Sequence, residues 1–342
     1  MKISLNLKLK NNNTISDELF KPLIENNIEP LVIDVGARNG MNEGVIPNCY
    51  SKYSKLVGFE PNKTEYKKLL TNTTEAEKAG ANLSGFKKTK YFDSALWSNQ
   101  EIRELFITQG DGAVTLMGEP LKEIAENMFL NSSKKSYFKE HVQVKRKEKI
   151  ACDRLDNLIK GENKIDILKV DVEGAELEVF KGSQKLFDSR SILFIKTEFF
   201  FTPYFKESTL LGHQQVFLNN NGFRLIDVDF DHRPYTRSLK TNSTYSQRNS
   251  KYGGDAYFIL DPDKNKISSL DLHRLGIICL VFNFDALGID FLREANLISQ
   301  QSLDEIQNTI SQHWNSNRIK DYWSSIPTHL NRFIKRLTNK SN

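Results

Sequence analysis

Short apolar runs alternate with amphipathic segments between residues 31 and 262. Several runs, such as LVIDV at 31–35, IDILKV at 165–170 and SILFIK at 191–196, are almost continuously apolar. Strands buried on both faces of a parallel sheet have this character, whereas half-exposed strands alternate. Segments with helical spacing of apolar residues lie between the runs, at 63–71, 175–187 and 211–221 for example. The pattern predicts a doubly wound, mostly parallel α/β fold.

The flanking regions have a different pattern. Residues 1–30 predict a leader with one helix, and residues 263–342 predict a helical C-terminal extension, with helices at 268–283, 289–298 and 302–323. The domain prediction is therefore 1–30, 31–262 and 263–342. Residues 311–342 contain six Lys or Arg and one acid, interleaved with aromatic residues. This segment indicates an oligomerisation arm, and hence a homo-oligomer, or contact with an acidic membrane surface.

Composition narrows the class of protein. The chain has 342 residues, 39% of them hydrophobic, and a net charge of +5, which is too small an excess to indicate a nucleic-acid partner. Its three cysteines form no Cys-x-x-Cys pair. The longest apolar run, at 277–282, is much shorter than the ~20 residues of a membrane span. We expect a soluble cytoplasmic protein.

The segment VIDVGARNG at 32–40 carries the first chemical signal. A buried strand ends near Asp34, and Gly36 and Gly40 then open a loop, where glycines let the backbone approach a ligand closely. The spacing matches neither Gly-x-Gly-x-x-Gly nor a P-loop. An acid at this place would repel a pyrophosphate but suits a cation, and S-adenosylmethionine carries an ammonium and a sulfonium.

Two further strand ends predict a nucleoside site. The next strand is predicted over 55–59, and Glu60 lies at its end, 26 residues after Asp34. Pro61 follows and is suited to start the next helix. A carboxylate in this position can accept both hydrogen bonds of a ribose diol. A third strand is predicted over 89–96, and YFDSALW at 91–97 marks its end, where an adenine commonly lies and Ser94 or Asp93 can hydrogen-bond the adenine amine.

Acidic residues also follow two later strands. Asp171 ends the run at 165–170, and Glu198 ends the next strand 27 residues later, so both should lie at the carboxyl edge of the sheet, where α/β folds bind ligands. Two facing carboxylates can share a proton or hold a divalent cation such as Mg²⁺. Either arrangement helps to deprotonate a hydroxyl group. His213, at the start of a predicted helix, is a third candidate base.

These motifs together resemble the FkbM family of S-adenosylmethionine-dependent methyltransferases over residues 30–230. The resemblance rests on VIDVGARNG, GFEPN, SALWSNQ and above all LKVDVEGAELEVFKG. It implies a class I, Rossmann-like fold with a seven-stranded sheet, and O-methylation of sugars, polyketides or other small metabolites. It assigns the cofactor site to Asp34, Gly36, Ala37, Gly40, Glu60 and Pro61, and places Asp171, Glu173, Gly174 and Glu176 near the active site. We also expect Arg38, Ser94, Ala95 and Asp171 to contact the cofactor, although Ser94 stands where many related enzymes have an acid.

We therefore expect an S-adenosylmethionine-dependent O-methyltransferase acting on a hydroxyl of a sugar, glycan or small metabolite. One alternative is a catalytically inactive methyltransferase fold that serves as a binding or scaffold subunit. An N-methyltransferase is a second alternative, although the sequence reads Asp-Val-Glu-Gly at 171–174 where such enzymes often carry Asn/Asp-Pro-Pro-Tyr. An RNA methyltransferase is a third, and only the basic C-terminal segment supports it.

Overall fold

A computed structural model of the chain describes residues 13–110, 113–128, 141–159, 164–230 and 251–325. Its centre is a seven-stranded sheet in the order β3-β2-β1-β7-β8-β10-β9. The strands of this sheet are β1 (Leu31–Val35), β2 (Lys55–Phe59), β3 (Lys88–Phe92), β7 (Ile165–Val170), β8 (Ile192–Phe200), β9 (Phe223–Phe230) and β10 (Gly253–Leu260).

Five neighbouring strands, from β3 to β8, are parallel, and β10 is antiparallel to both β8 and β9. The predicted doubly wound, mostly parallel sheet is confirmed. The strand order reverses between β1 and β7, and ligands of open α/β sheets bind beyond the carboxyl ends of strands at such a point.

A three-stranded sheet of order β4-β6-β5 lies apart from the main sheet. Its strands are β4 (Ala95–Leu96), β5 (Glu101–Thr108) and β6 (Val144–Asp153). The sequence predicts a single strand over 89–96, but the chain leaves the main sheet after β3, and Ala95 pairs with Cys152 of β6. This sheet has a hydrophobic core of its own, around Trp97, Ile107 and Phe205.

Helices cover the main sheet, and three of them come after its last strand in the chain. They are α1 (Asn13–Glu25), α2 (Asn48–Ser51), α3 (Lys63–Thr71), α4 (Glu75–Lys78), α5 (Lys122–Met128), α6 (Leu155–Leu158), α7 (Glu176–Lys181), α8 (Gln184–Asp188), α9 (Leu211–Asn220), α10 (Ser269–Val281), α11 (Asp285–Ala295) and α12 (Gln300–Ser325). The single helix predicted over 175–187 is interrupted at Gly182. A Cβ on this residue would lie 2.1 Å from the Trp97 carbonyl oxygen, so the helix presses its backbone against the second sheet.

The predicted C-terminal helices exist, and the first of them belongs to the core of the main sheet. Residues 272–281 of α10 are all buried. The Arg274 guanidinium forms a two-point ion pair with Asp166 of β7, Nε to Oδ1 at 2.8 Å and Nη2 to Oδ2 at 2.7 Å. Asp166 Oδ2 also accepts a hydrogen bond from the Leu31 backbone N–H. A charge-paired contact therefore fixes α10 to β1 and β7.

The predictions for the basic segment 311–342 remain predictions. Residues 326–342 lie outside the described part of the chain. Within the described ranges, none of the helices combines the length and the apolar character that crossing a membrane requires.

Candidate active site

A pocket of about 250 Å³ opens where the strand order reverses, at the carboxyl ends of β1, β2 and β7. Four predicted site residues line it: Gly36, Arg38, Glu60 and Asp171. The second sheet and the segment that follows β5 supply an apolar wall of Leu96, Leu105, Val114 and Leu116. The pocket thus combines charged strand ends with an apolar surface on which a planar ring can pack.

Gly36 brings the ends of three strands together. Its φ is +83°, and a Cβ added there would lie 1.9 Å from the backbone oxygen of Asp171, so only glycine fits. The N–H groups of Gly36 and Ala37 both donate to the Phe59 carbonyl at 3.0 Å. Ala37 is fully buried behind the turn, and the Gly40 N–H donates back to its carbonyl oxygen at 2.9 Å. Gly36 therefore contacts the pocket, while Ala37 and Gly40 shape the turn.

Asp34 is buried and faces a cation of its own chain. Lys169 Nζ lies 2.9 Å from Asp34 Oδ1 and 3.3 Å from Asp171 Oδ2. Burial opposes the charged ammonium, but the two carboxylates outweigh it and hold the pKa of Lys169 above its ordinary value. Lys169, and not Asp34, lines the pocket. Sequence reasoning missed Lys169, although a lysine inside an apolar strand two residues before Asp171 is a recognisable signal.

Glu60 presents a buried carboxyl group to the pocket. The Asn62 N–H donates to Glu60 Oε1 at 2.8 Å, and Asn62 Oδ1 in turn caps α3 by accepting from the Thr64 N–H. Burial raises the pKa of Glu60 to about 7. Pro61, between them, is half-buried and outside the pocket lining. The predicted pairing of strand end and helix start is thus built around Glu60 and Asn62.

The predicted adenine contacts lie elsewhere. Ala95 is buried in the core of the second sheet, Ser94 is half-buried, and neither is among the pocket-lining residues. The physical reason is that β4 pairs with β6 instead of continuing β3, so Leu96 is the residue of this segment that reaches the pocket. Trp97 is a core residue, with the Arg103 guanidinium 4.0 Å from its ring centroid.

The loop after β7 is acidic, and a buried glutamate side chain holds its backbone. Glu173 lines the pocket with φ at +56°, a left-handed conformation that is uncommon for residues other than glycine. Glu176 Oε1 accepts from the N–H groups of Val172 and Gly174, both at 3.1 Å. Burial raises the pKa of Glu176 to about 7. Glu176 therefore stabilises the loop that presents Asp171 and Glu173.

Glu198 lies one strand away from Asp171. Val170 pairs with Thr197, so the residues that follow each of them reach the same level of the sheet. Within the described residues, the buried Oε2 of Glu198 has no hydrogen-bond partner. Burial raises the pKa of Glu198 well above its ordinary range, and the nearby carboxylates of Glu173 and Asp171 raise it further. The two acids predicted to be neighbours therefore affect each other electrostatically.

Comparison with known proteins identifies the family. The methyltransferase FkbM domain family matches residues 34–225, which is more than half of the chain. The chain belongs to the FkbM methyltransferase family.

Solved structures show distant likeness. The magnesium protoporphyrin IX methyltransferase of Synechocystis with bound S-adenosylmethionine is 10% identical, covering 76% of this chain and 86% of its own, with a TM-score of 0.30. A SAM-dependent methyltransferase from Aquifex aeolicus is 11% identical, covering 76% and 100%, with a TM-score of 0.31. Among curated proteins, no sequence matches. The family match, and not these distant structures, supports the assignment.

The pocket of this FkbM methyltransferase fits the family's methyl donor, S-adenosylmethionine. Its lining carries four carboxylates (Glu60, Glu65, Asp171 and Glu173) and two cationic side chains (Arg38 and Lys169). Arg38 Nε lies 3.6 Å from the buried Glu65, and Lys169 is paired as described above. The remaining negative charge suits a sulfonium and an ammonium and would disfavour an anionic dinucleotide.

Two further predictions for this FkbM methyltransferase concern His213 as a base and a bound divalent cation. His213 lies exposed at the start of α9, where its Nδ1 accepts a hydrogen bond from the Leu210 N–H at 3.2 Å. It caps the helix and lies outside the pocket lining, and its role as a base remains a prediction. Across the described ranges, no group of three or more His, Cys, Asp or Glu is arranged to hold a metal ion. The ammonium of Lys169 forms an ion pair with Asp171, Nζ to Oδ2 at 3.3 Å.

Proposed function

We propose that this methyltransferase transfers a methyl group to a hydroxyl oxygen of a sugar, glycan or other small metabolite. The observation that carries the proposal is the buried, unpartnered Oε2 of Glu198, on the strand next to Asp171 at the carboxyl edge of the sheet. A buried polar atom without a partner is costly and needs an explanation, which a reacting hydroxyl group would provide.

The pocket residues would bind and orient the methyl donor. Bound S-adenosylmethionine supplies a methyl group that its sulfonium has already activated. Glu60 would accept hydrogen bonds from the ribose hydroxyls, since its carboxyl group lines the pocket beside the Asn62 N–H. Leu96, Leu105 and Leu116 would pack against the adenine ring. Alignment of donor and acceptor can supply about 7–11 kcal/mol of the catalytic effect.

The carboxylates of Glu198 and Asp171 are placed to take up the proton that the acceptor hydroxyl loses. An alcohol is a weak nucleophile and loses its proton during the transfer, so a positioned base accelerates the reaction. Burial and the neighbouring carboxylates raise the pKa of Glu198, which makes its ionised form a stronger base than an exposed glutamate. A cationic donor in the pocket would offset those carboxylates and favour the ionised form.

The test is donor turnover by the whole chain over a panel of monosaccharides, nucleotide sugars and glycans. We expect S-adenosylhomocysteine to form with at least one panel member, and the Glu198→Gln variant to lower kcat by about 10²–10⁴-fold. Its affinity for S-adenosylmethionine should be unchanged. Glu294→Gln, an exposed change on α11, is the matched control.

Two results would contradict the proposal. Turnover of the Glu198→Gln variant at the wild-type rate would place the base elsewhere. A wild-type chain that binds no S-adenosylmethionine would favour a binding or scaffold subunit instead.

A further inference from the structure

A second cavity, of about 210 Å³, lies beside the donor pocket. Lys196 of β8 lines it, and Lys196 is the direct register partner of Lys169, which lines the donor pocket. Directly paired residues of neighbouring parallel strands point to the same face, and such strands lie only about 4.8 Å apart. Residues 44–47, which follow the glycine turn at Gly36, close the cavity. The two cavities are therefore neighbours on one face of the sheet.

One wall of the second cavity carries an unsatisfied polar group. Asn283 follows the end of α10 with φ at +67°, and asparagine is a common residue at such helix ends. Helix capping explains the backbone but not the side chain. Its Oδ1 is buried, and among the described residues none donates a hydrogen bond to it. A buried acceptor in a cavity wall indicates a ligand that brings a donor.

The other polar groups of this cavity complement Asn283. Asp255 of β10 is about one-third exposed and forms an ion pair with Lys196. Tyr257 lies across from Lys196 in the sheet and donates its hydroxyl to Asp229 Oδ2 at 2.7 Å. The Phe282 ring completes the wall. The cavity thus offers two kinds of acceptor oxygen, one ammonium donor and an aromatic surface.

We propose that this second cavity holds one polyhydroxylated ring of the methyl acceptor, an inference that rests on the proposed function. Adjacent hydroxyl groups donate to carboxylate and amide oxygens and accept from an ammonium, and the ring's apolar face packs on an aromatic side chain. The volume is below the roughly 300–1,000 Å³ of sites for drug-sized ligands, which limits the occupant to about one ring.

The register places the proposed base between the two cavities. Glu198 is the cross-strand partner of Asp255, which lines the second cavity, and it follows Thr197, the partner of Val170 just before Asp171. A ring in the second cavity would therefore bring a hydroxyl group to the boundary at which Glu198 lies. This assigns the acceptor a place without moving any element of the fold.

Much of this cavity comes from outside the family match at residues 34–225. Asp255, Tyr257, Phe282 and Asn283 all follow that range. The C-terminal region would therefore determine which acceptor this chain methylates, while the matched range provides the donor pocket.

Saturation-transfer NMR on the whole chain tests the assignment. The probes are glucose, galactose, mannose, rhamnose and N-acetylglucosamine, each at millimolar concentration with S-adenosylhomocysteine present. Asn283→Gly removes the amide but suits the positive φ, so the helix end should be preserved. Asn296→Gly is the matched control, because Asn296 is exposed and ends α11 with φ at +53°. Asp255→Asn is a second test variant.

We expect at least one monosaccharide to receive saturation from the wild-type chain. Asn283→Gly should weaken its binding about threefold to tenfold, as the loss of one hydrogen bond predicts, while Asn296→Gly leaves it unchanged. Asp255→Asn should weaken it as well. Affinity for S-adenosylhomocysteine should be the same in all variants, which shows that the donor pocket is intact.

The assignment is overturned if both test variants bind the monosaccharide as strongly as the wild-type chain, or if none of the five receives saturation. Failure of the proposed function gives a different result. If a monosaccharide binds in this cavity while no member of the acceptor panel forms an O-methyl product, the methyl transfer is overturned and the ring-binding cavity remains supported.

Discussion

Replacing Lys169 by methionine should destabilise the fold strongly. The side chain of Lys169 is 13% exposed and that of Asp34 is 3% exposed, with Nζ 2.9 Å from Oδ1. Methionine fills a similar volume but leaves the Asp34 carboxylate buried without its cation. Removing one partner of a buried ion pair costs about 3–5 kcal/mol, because the remaining charge is uncompensated.

This cost should be measurable as a change in melting temperature. For a chain of this size, each kcal/mol lowers Tm by about 2 °C, so Lys169→Met should lower Tm by about 6–10 °C. The double variant Asp34→Asn/Lys169→Met should recover much of the loss, since neither buried charge then lacks a partner. Calorimetric melting of the wild-type chain, both single variants and the double variant gives the coupling free energy.

The pH dependence gives a second measurement on the same variant. Burial pushes the pKa of Asp34 upward and the Lys169 ammonium pushes it downward, so the variant's folded state retains an Asp34 proton that the unfolded state loses. Because the folded pKa of Asp34 is the higher one, its contribution to the variant's stability is complete below the unfolded pKa of about 3.9. This contribution is lost as the pH rises through the folded pKa. The deficit of Lys169→Met should therefore be larger at pH 8 than at pH 5. A melting curve identical to wild type at both pH values would refute a buried ion pair.

Three further predictions concern the donor pocket and the core. Glu60→Gln should weaken S-adenosylmethionine binding at least tenfold in isothermal titration. The affinity of the wild-type chain should fall below pH 7, because burial raises the pKa of Glu60 to about 7. Equal affinity at pH 6 and pH 8 would argue against this role of Glu60. Gly36→Ala should abolish donor binding or folding, because its Cβ would collide with a backbone oxygen, whereas Gly80→Ala, at φ +81° in open space, should cost only about 1 kcal/mol; similar melting temperatures for the two variants would contradict the steric reasoning. Arg274→Leu should cost about 3–5 kcal/mol in thermal unfolding by leaving Asp166, 1% exposed, without its cation, and a cost under 1 kcal/mol would show that α10 is not fixed by this pair.

The buried strands could be predicted from sequence because their signal is local. The predicted bounds of β1, β2 and β7 agree with the structure residue for residue, since a strand covered on both faces has an apolar run with clear ends. Gly36 and Glu60 reach the pocket as predicted because the parallel sheet brings consecutive strand ends to one edge.

The remaining features depend on contacts between distant parts of the chain. Asp34 and Lys169 are 135 residues apart, and only the register of β1 against β7 shows that they pair. Ser94 and Ala95 lie outside the pocket lining because β4 pairs with β6 in the second sheet. No pattern within 89–96 indicates this pairing. A histidine three residues into a helix looks the same in sequence whether it is a cap or a base, and His213 is a cap.

The most direct test of the central claim is the fate of a ¹³C-labelled methyl group of S-adenosylmethionine. The wild-type chain is incubated with the acceptor panel, and the product is examined by carbon–proton correlation NMR. We predict that the label appears as an O-methyl group on one hydroxyl of a panel member and that Glu198→Gln forms no such product in the same time. Label on nitrogen or carbon, or label that stays on the donor with every acceptor, would contradict methyl transfer to oxygen at this site.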